Sequence, residues 1–147
     1  MTISFAQRLF LAAGIYGVAV LAPMFFLEHV IGEYDPPAIT HAEIYYGFVC
    51  TALAWQVVYL MMSRDPLRLR PMLIPAIISK AGFGISVYIL FALGRLAARN
   101  LLLPSIDLVL AALFSWAYVA LRSDPPTDGH RPGYHAEGHR HLPAGGW

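Results

Sequence analysis

Charge is what this sequence has least of. Asp, Glu, Lys and Arg together make up 13% of its 147 residues, about half the ~25% usual in a soluble domain. A soluble fold must cover its surface with polar groups, so a deficit of this size excludes an ordinary water-soluble globule. Lysine is almost missing, because all the basic residues are Arg except Lys80. No basic cluster of the kind that grips nucleic acid is present, which excludes nucleic acid as a partner. The single cysteine, Cys50, rules out an intrachain disulfide. It lies in an apolar run and reads as a small apolar side chain. Nucleotide-binding glycine patterns, nucleophile elbows, HExxH and paired-Cys signatures are lacking too, which weighs against an enzyme. Nothing is long enough to form a second, soluble domain.

What the chain does have is long apolar runs. It is 58% hydrophobic, with a mean hydropathy of +0.57. A hydrocarbon core ~30 Å thick takes about 20 largely apolar residues in a helix. Four segments qualify, at residues 9–27, 44–62, 72–94 and 101–121. They are continuous rather than alternating, so they read as helices and not as barrel strands. The first is too long for a signal-peptide core, and Ala22-Pro23-Met24-Phe25 is a poor cleavage site. It is therefore read as a retained helix. The fold class expected is an all-α, four-transmembrane-helix bundle over residues 1–123, with a disordered tail over residues 124–147.

Basic residues set the expected orientation. One side of the bundle receives Arg8, then Arg64, Arg68 and Arg70, then Arg122, with Arg131 and Arg140 in the tail. The other side receives Arg95 and Arg99, and its first loop, residues 28–43, has four acidic residues and no Lys or Arg. Both termini are thus expected in the cytoplasm. Asp65-Pro66 and Asp124-Pro125 end the second and fourth segments on that same side. The preference for Arg beside abundant Ala and Leu points to a GC-rich bacterial genome, hence to a multi-pass protein of a bacterial inner membrane.

Helices in lipid associate through small residues. The first segment offers Ala13 and Gly17, and the third offers Gly82 with Ser86 and a stripe of Ala76, Lys80 and Gly84. The fourth offers Ala111 and Ser115. Pro23 is expected to bend the first helix near its outer end, whereas Pro75 and Pro104 fall in first turns.

Two intramembrane charges are the main candidates for function. Lys80 lies about ten residues beyond Arg70, so roughly 12–15 Å deep at ~1.5 Å per residue. A central Lys costs ~2.5–3.5 kcal/mol on insertion scales. It either makes a charged contact inside the bundle or snorkels back toward the headgroups, Asp65 or Asp124. Asp107 is expected in the first turn of a helix beginning near Pro104, where the helix dipole favours it. A helix beginning at Asn100 would put it deeper and require a partner. Lys80 and Asp107 approach from opposite faces of the membrane, so a direct pair is not expected. The second segment carries Tyr45, Tyr46, Phe48, Trp55 and Tyr59 at helical spacing. This stripe serves either packing and interfacial anchoring or the wall of a ligand cavity that also uses Lys80.

No cofactor is required by any motif, although a divalent metal is compatible with two regions. In the first loop Glu28, His29 and His41 have the chemistry of zinc or iron ligands, without the spacing of a strong ligand motif. Thr40-x-x-Glu43 in the same loop reads as a capping box, and Asp35-Pro36-Pro37 as a turn. The tail carries His130, His135, His139 and His141, which can capture metals loosely. Its Gly, Pro and His content cannot bury a core.

Tyr45-Tyr46-Gly47-Phe48, Ala52-Leu53-Ala54-Trp55-Gln56, Arg64-Asp65-Pro66, Arg70-Pro71 and Pro75-Ala76…Lys80…Phe83-Gly84 resemble a group of small bacterial four-helix integral membrane proteins of no known function. The resemblance covers roughly residues 8–121. It implies the topology and a bacterial source, and it implies no activity, ligand or site residue. The reading preferred on the sequence is a non-enzymatic bundle in the lipid bilayer, alone, as a homo-oligomer or as an accessory subunit of a larger complex. The alternatives are a small-ligand binding or transport module using Lys80, Asp107, Tyr45, Trp55 and Tyr59, and a metal-dependent membrane enzyme using the outer loop.

Overall fold

The structure is a computed structural model that describes residues 2–34 and 38–122. The tail with its four histidines, Asp124-Pro125 and the Asp35-Pro36-Pro37 turn lie outside the described residues. Among the described residues the chain is all-helical, and four of its helical segments are long and apolar enough to cross a membrane.

Helix α1, Ile3–Leu21, starts earlier than its apolar run because Thr2 caps it, the hydroxyl accepting from the Phe5 N–H at 3.4 Å. At its far end Pro23 does not kink a continuous α-helix. The α-helix stops at Leu21, and a tighter 3-10 turn carries Ala22–Phe26. A short helix α2, Glu28–Tyr34, follows where the sequence promised only a loop. Helix α3, Ala42–Met62, begins without a capping box. The Thr40 hydroxyl bonds the His41 ring (2.9 Å) instead, and His41 takes the N-cap position with no side-chain cap. Helix α4, Leu73–Ala92, ends on Gly94 at φ +70°. There the Arg95 N–H reaches the Leu90 carbonyl and the Gly94 N–H that of Phe91, a Schellman closure that favours glycine. Helix α5, Leu102–Ala120, is preceded by a 3-10 turn over Ala98–Leu101.

The long helices pair as two antiparallel hairpins, α1 with α3 and α4 with α5. Glycine sets both close approaches. A side chain on Gly14 would press on Leu60 and the Gln56 carbonyl, and one on Gly84 would press on Leu108 and the Pro104 carbonyl. The Ala76, Lys80 and Gly84 stripe thus does lie against α5, whereas the neighbouring Gly82 faces open space. Aromatic edges join the hairpins. Phe114 of α5 meets Phe10 of α1 and Tyr59 of α3, with ring centroids 5.4 and 5.1 Å apart.

The buried core gathers in one half of the bundle, around Phe10, Tyr59, Met62, Leu73 and Phe114. Arg70 closes that end, its Nε–H donating to the Tyr118 carbonyl (3.0 Å) with the guanidinium 4.3 Å from the Tyr118 ring. The outer surface is apolar, with Ile15, Val57, Ile78, Ile85, Val109 and Val119 all exposed. In water that surface would be an aggregation hazard; against hydrocarbon it is well matched.

Candidate functional site

Beside the core, and sharing Tyr59 with it, the helices leave a partly open space. A cavity of about 170 Å³ lies among α1, α3, α4 and α5. Its polar centre is an ion pair that sequence reasoning disfavoured: Lys80 Nζ donates to Asp107 Oδ1 at 2.6 Å. Both side chains are largely enclosed, at 12% and 17% exposure. Snorkelling is therefore not what Lys80 does, and Asp65 instead accepts the Arg68 backbone N–H. Depth counted from one end of each helix hides this pairing. Lys80 lies near the middle of the Arg70–Ala92 segment and Asp107 near the middle of Ala98–Ala120. Antiparallel helices of equal length bring their middles together. Asp107 also lies beyond the first turn of α5, because that helix starts at Leu102 rather than at Pro104. Away from the dipole's end it has the partner that a deep carboxylate needs.

Around the pair the wall is aromatic. Tyr59 is fully buried, and Lys80 Nζ lies 5.8 Å from its ring centroid. Phe48 of α3 and Phe83 of α4 stack at 5.8 Å, and Trp55 lies 6.3 Å from Tyr59. All four aromatics line the cavity, as does Tyr16 of α1. Of the residues named from the sequence, Lys80, Asp107, Trp55 and Tyr59 thus meet at one place. Tyr45 does not. Its hydroxyl donates to the Met24 carbonyl (2.7 Å), while Tyr46 donates to Glu28 Oε2 (2.8 Å), so these two tether the segment after α1.

Gln56 is a further residue of the site, beyond those the sequence singles out. It is 2% exposed on the cavity wall, and its Nε2 donates to the Ala52 carbonyl at 2.9 Å. That bond identifies which end of the amide is the oxygen. Oε1 lies over Gly17, where any side chain would collide with the amide. Among the described residues Oε1 has no hydrogen-bond partner, and neither has the Tyr59 hydroxyl. Each orphaned buried group costs about 1–3 kcal/mol. The signal was legible: a lone amide in an apolar run, one helical turn from Tyr59 and Ala52, and a glycine free to face it.

The outer-loop metal set is not assembled. His29 Nε2 pairs with Glu33 Oε1 at 3.1 Å on an open surface, Glu28 is taken by Tyr46, and His41 by Thr40. Among the described residues no three His, Cys, Asp or Glu side chains gather to hold an ion. A shallow depression beside Glu28, His29 and Glu33 leaves His41 outside it. The chain matches no family model, no curated protein and no solved structure, so the site is read on its geometry alone.

Proposed function

We propose that the chain is a multi-pass protein of a bacterial inner membrane, with both termini in the cytoplasm, and that it binds a small molecule between its helices beside Lys80 and Asp107. The orientation rests on charge: Arg8, Arg64, Arg68, Arg70 and Arg122 share one end of the bundle, whereas Arg95 and Arg99 mark the other. The binding role rests on one observation. The cavity's lining brings an enclosed ion pair together with two buried polar atoms that have no partner among the described residues, Gln56 Oε1 and Tyr59 OH. A bundle kept only for its shape has no use for such groups, since apolar side chains of the same volume would pack there at no cost. Pockets with apolar walls and a few convergent polar groups are the usual form of small-molecule sites. The enclosure of Lys80 favours a binding or transport module over a plain bundle.

In this arrangement the site lies at mid-depth and extends toward the outer end, where Met24 and Leu103 contribute to its wall. The test is extraction of small molecules from protein purified in mild detergent, compared with an Ala52→Phe variant that fills the cavity. A compound held by the wild type and missing from the variant is expected. Identical extracts, together with no stabilisation of the wild type by any of a panel of small molecules, would overturn the reading.

A further inference from the structure

The chemistry of the cavity wall also narrows what can occupy it. Resting on the binding-site reading above, we propose that the ligand class is an uncharged, single-ring aromatic molecule carrying an O–H or N–H donor.

Charge supplies the first constraint. Lys80 and Asp107 already neutralise each other at 2.6 Å. A cationic ligand would have to take Asp107 from Lys80, and an anionic one would have to take Lys80 from Asp107. Either way one enclosed charge is left without its partner, which is strongly unfavourable. A neutral ligand leaves the pair intact.

Shape supplies the second. The cavity is about 170 Å³, close to the ~150 Å³ apolar cavity that accepts benzene in another protein. Its walls include the stacked Phe48 and Phe83 and the tilted Trp55 and Tyr59. Flat rings on several sides offer edge and face contacts to another flat ring.

Polarity supplies the third. Gln56 has committed its Nε2 to the Ala52 carbonyl, so what it still offers is an acceptor, packed against Gly17 just behind the wall, and a small turn of the amide brings it to the cavity. Asp107 is likewise an acceptor whose Oδ1 receives the Lys80 bond. A wall that holds an unpaired acceptor at Gln56 and donors at the Tyr59 hydroxyl and the Lys80 ammonium discriminates in favour of a ligand whose polar atom brings a donor and can also accept. A hydrocarbon of the same shape enters but leaves Gln56 Oε1 unpaired.

The test uses a full-length Trp116→Phe, Trp147→Phe protein, in which Trp55 is the one remaining tryptophan. Its emission is titrated in detergent with phenol, toluene, benzoate and benzylamine, and an Ala52→Phe version reports uptake by the micelle alone. Phenol is expected to give a saturable change that is absent with Ala52→Phe. Its affinity should exceed that of toluene by about tenfold, the equivalent of one hydrogen bond, and should exceed those of benzoate and benzylamine by at least as much. Gln56→Leu should erase the preference for phenol over toluene while toluene still binds. If that variant does not fold, the phenol-to-toluene ratio of the unaltered site decides the point. Tighter benzoate or benzylamine would overturn the uncharged class, and equal phenol and toluene would overturn the donor requirement; both leave the binding site standing. No saturable change with any probe would overturn this inference, whereas the binding-site reading stands or falls with the extraction experiment above.

Discussion

Lys80 Nζ and Asp107 Oδ1 stand 2.6 Å apart, one on α4 and the other on α5, near the middle of the antiparallel apolar segments Arg70–Ala92 and Ala98–Ala120. Each is the other's compensation in an enclosed setting. Removing one partner from such a pair typically costs ~3–5 kcal/mol, whereas replacing both with apolar residues is often close to neutral. Lys80→Met and Asp107→Leu are therefore each expected to lower stability by about that amount. The double variant should recover most of the loss. Unfolding in a denaturing detergent series gives the coupling energy of the cycle; simple additivity of the two losses would contradict the pairing.

Gly17 accommodates the Gln56 amide, and any Cβ there collides with it. Gly17→Ala is expected to destabilise the α1–α3 hairpin by about 1–3 kcal/mol. Shortening the opposing residue in a Gly17→Ala, Gln56→Ala double variant should restore part of that loss. Thermal unfolding of the four proteins is the measurement, and a double variant worse than either single one would refute the contact.

Two glycines on α4 offer an internal control. Gly84 is pressed against Leu108 and the Pro104 carbonyl, while Gly82 meets nothing. Gly84→Ala should separate α4 from α5 and weaken the fold by about 1–3 kcal/mol. Gly82→Ala should be neutral or stabilising by up to ~1 kcal/mol, since alanine is the better helix former. Thermal denaturation of the two variants side by side checks the sign of each.

The proposed orientation has its own test. In a Cys50→Ala background, a cysteine in place of His29 should react with a membrane-impermeant maleimide added to intact cells made permeable only at the outer membrane. A cysteine in place of Arg68 should react only after the inner membrane is opened. The reverse pattern would invert the topology.

Much of the architecture could be read one residue at a time. Apolar length alone marks the four long helices, because a continuous run of this kind satisfies its backbone internally whatever surrounds it. The breaks also follow local chemistry, in Pro23 ending α1 and Gly94 ending α4. Helix α2 escaped notice because its seven residues, Glu28–Tyr34, carry too little apolar periodicity to stand out. The Thr40–Glu43 box is absent because the Thr40 hydroxyl is engaged by the neighbouring His41 ring and His41 takes the N-cap position.

The sequence by itself determined that this protein is a set of long apolar helices with one expensive lysine among them, since those properties depend on composition and local order. Only the tertiary structure decided what the lysine meets. Whether Lys80 faces Asp107, lipid or headgroups depends on the register and rotation of α4 against α5, and Gly84 sets these by allowing close approach at one height. The same holds for Gln56, whose amide oxygen is left over from the Ala52 bond and meets Gly17 only because α1 and α3 pack at that level. Such relations join residues far apart in the chain, and no periodicity within one helix encodes them.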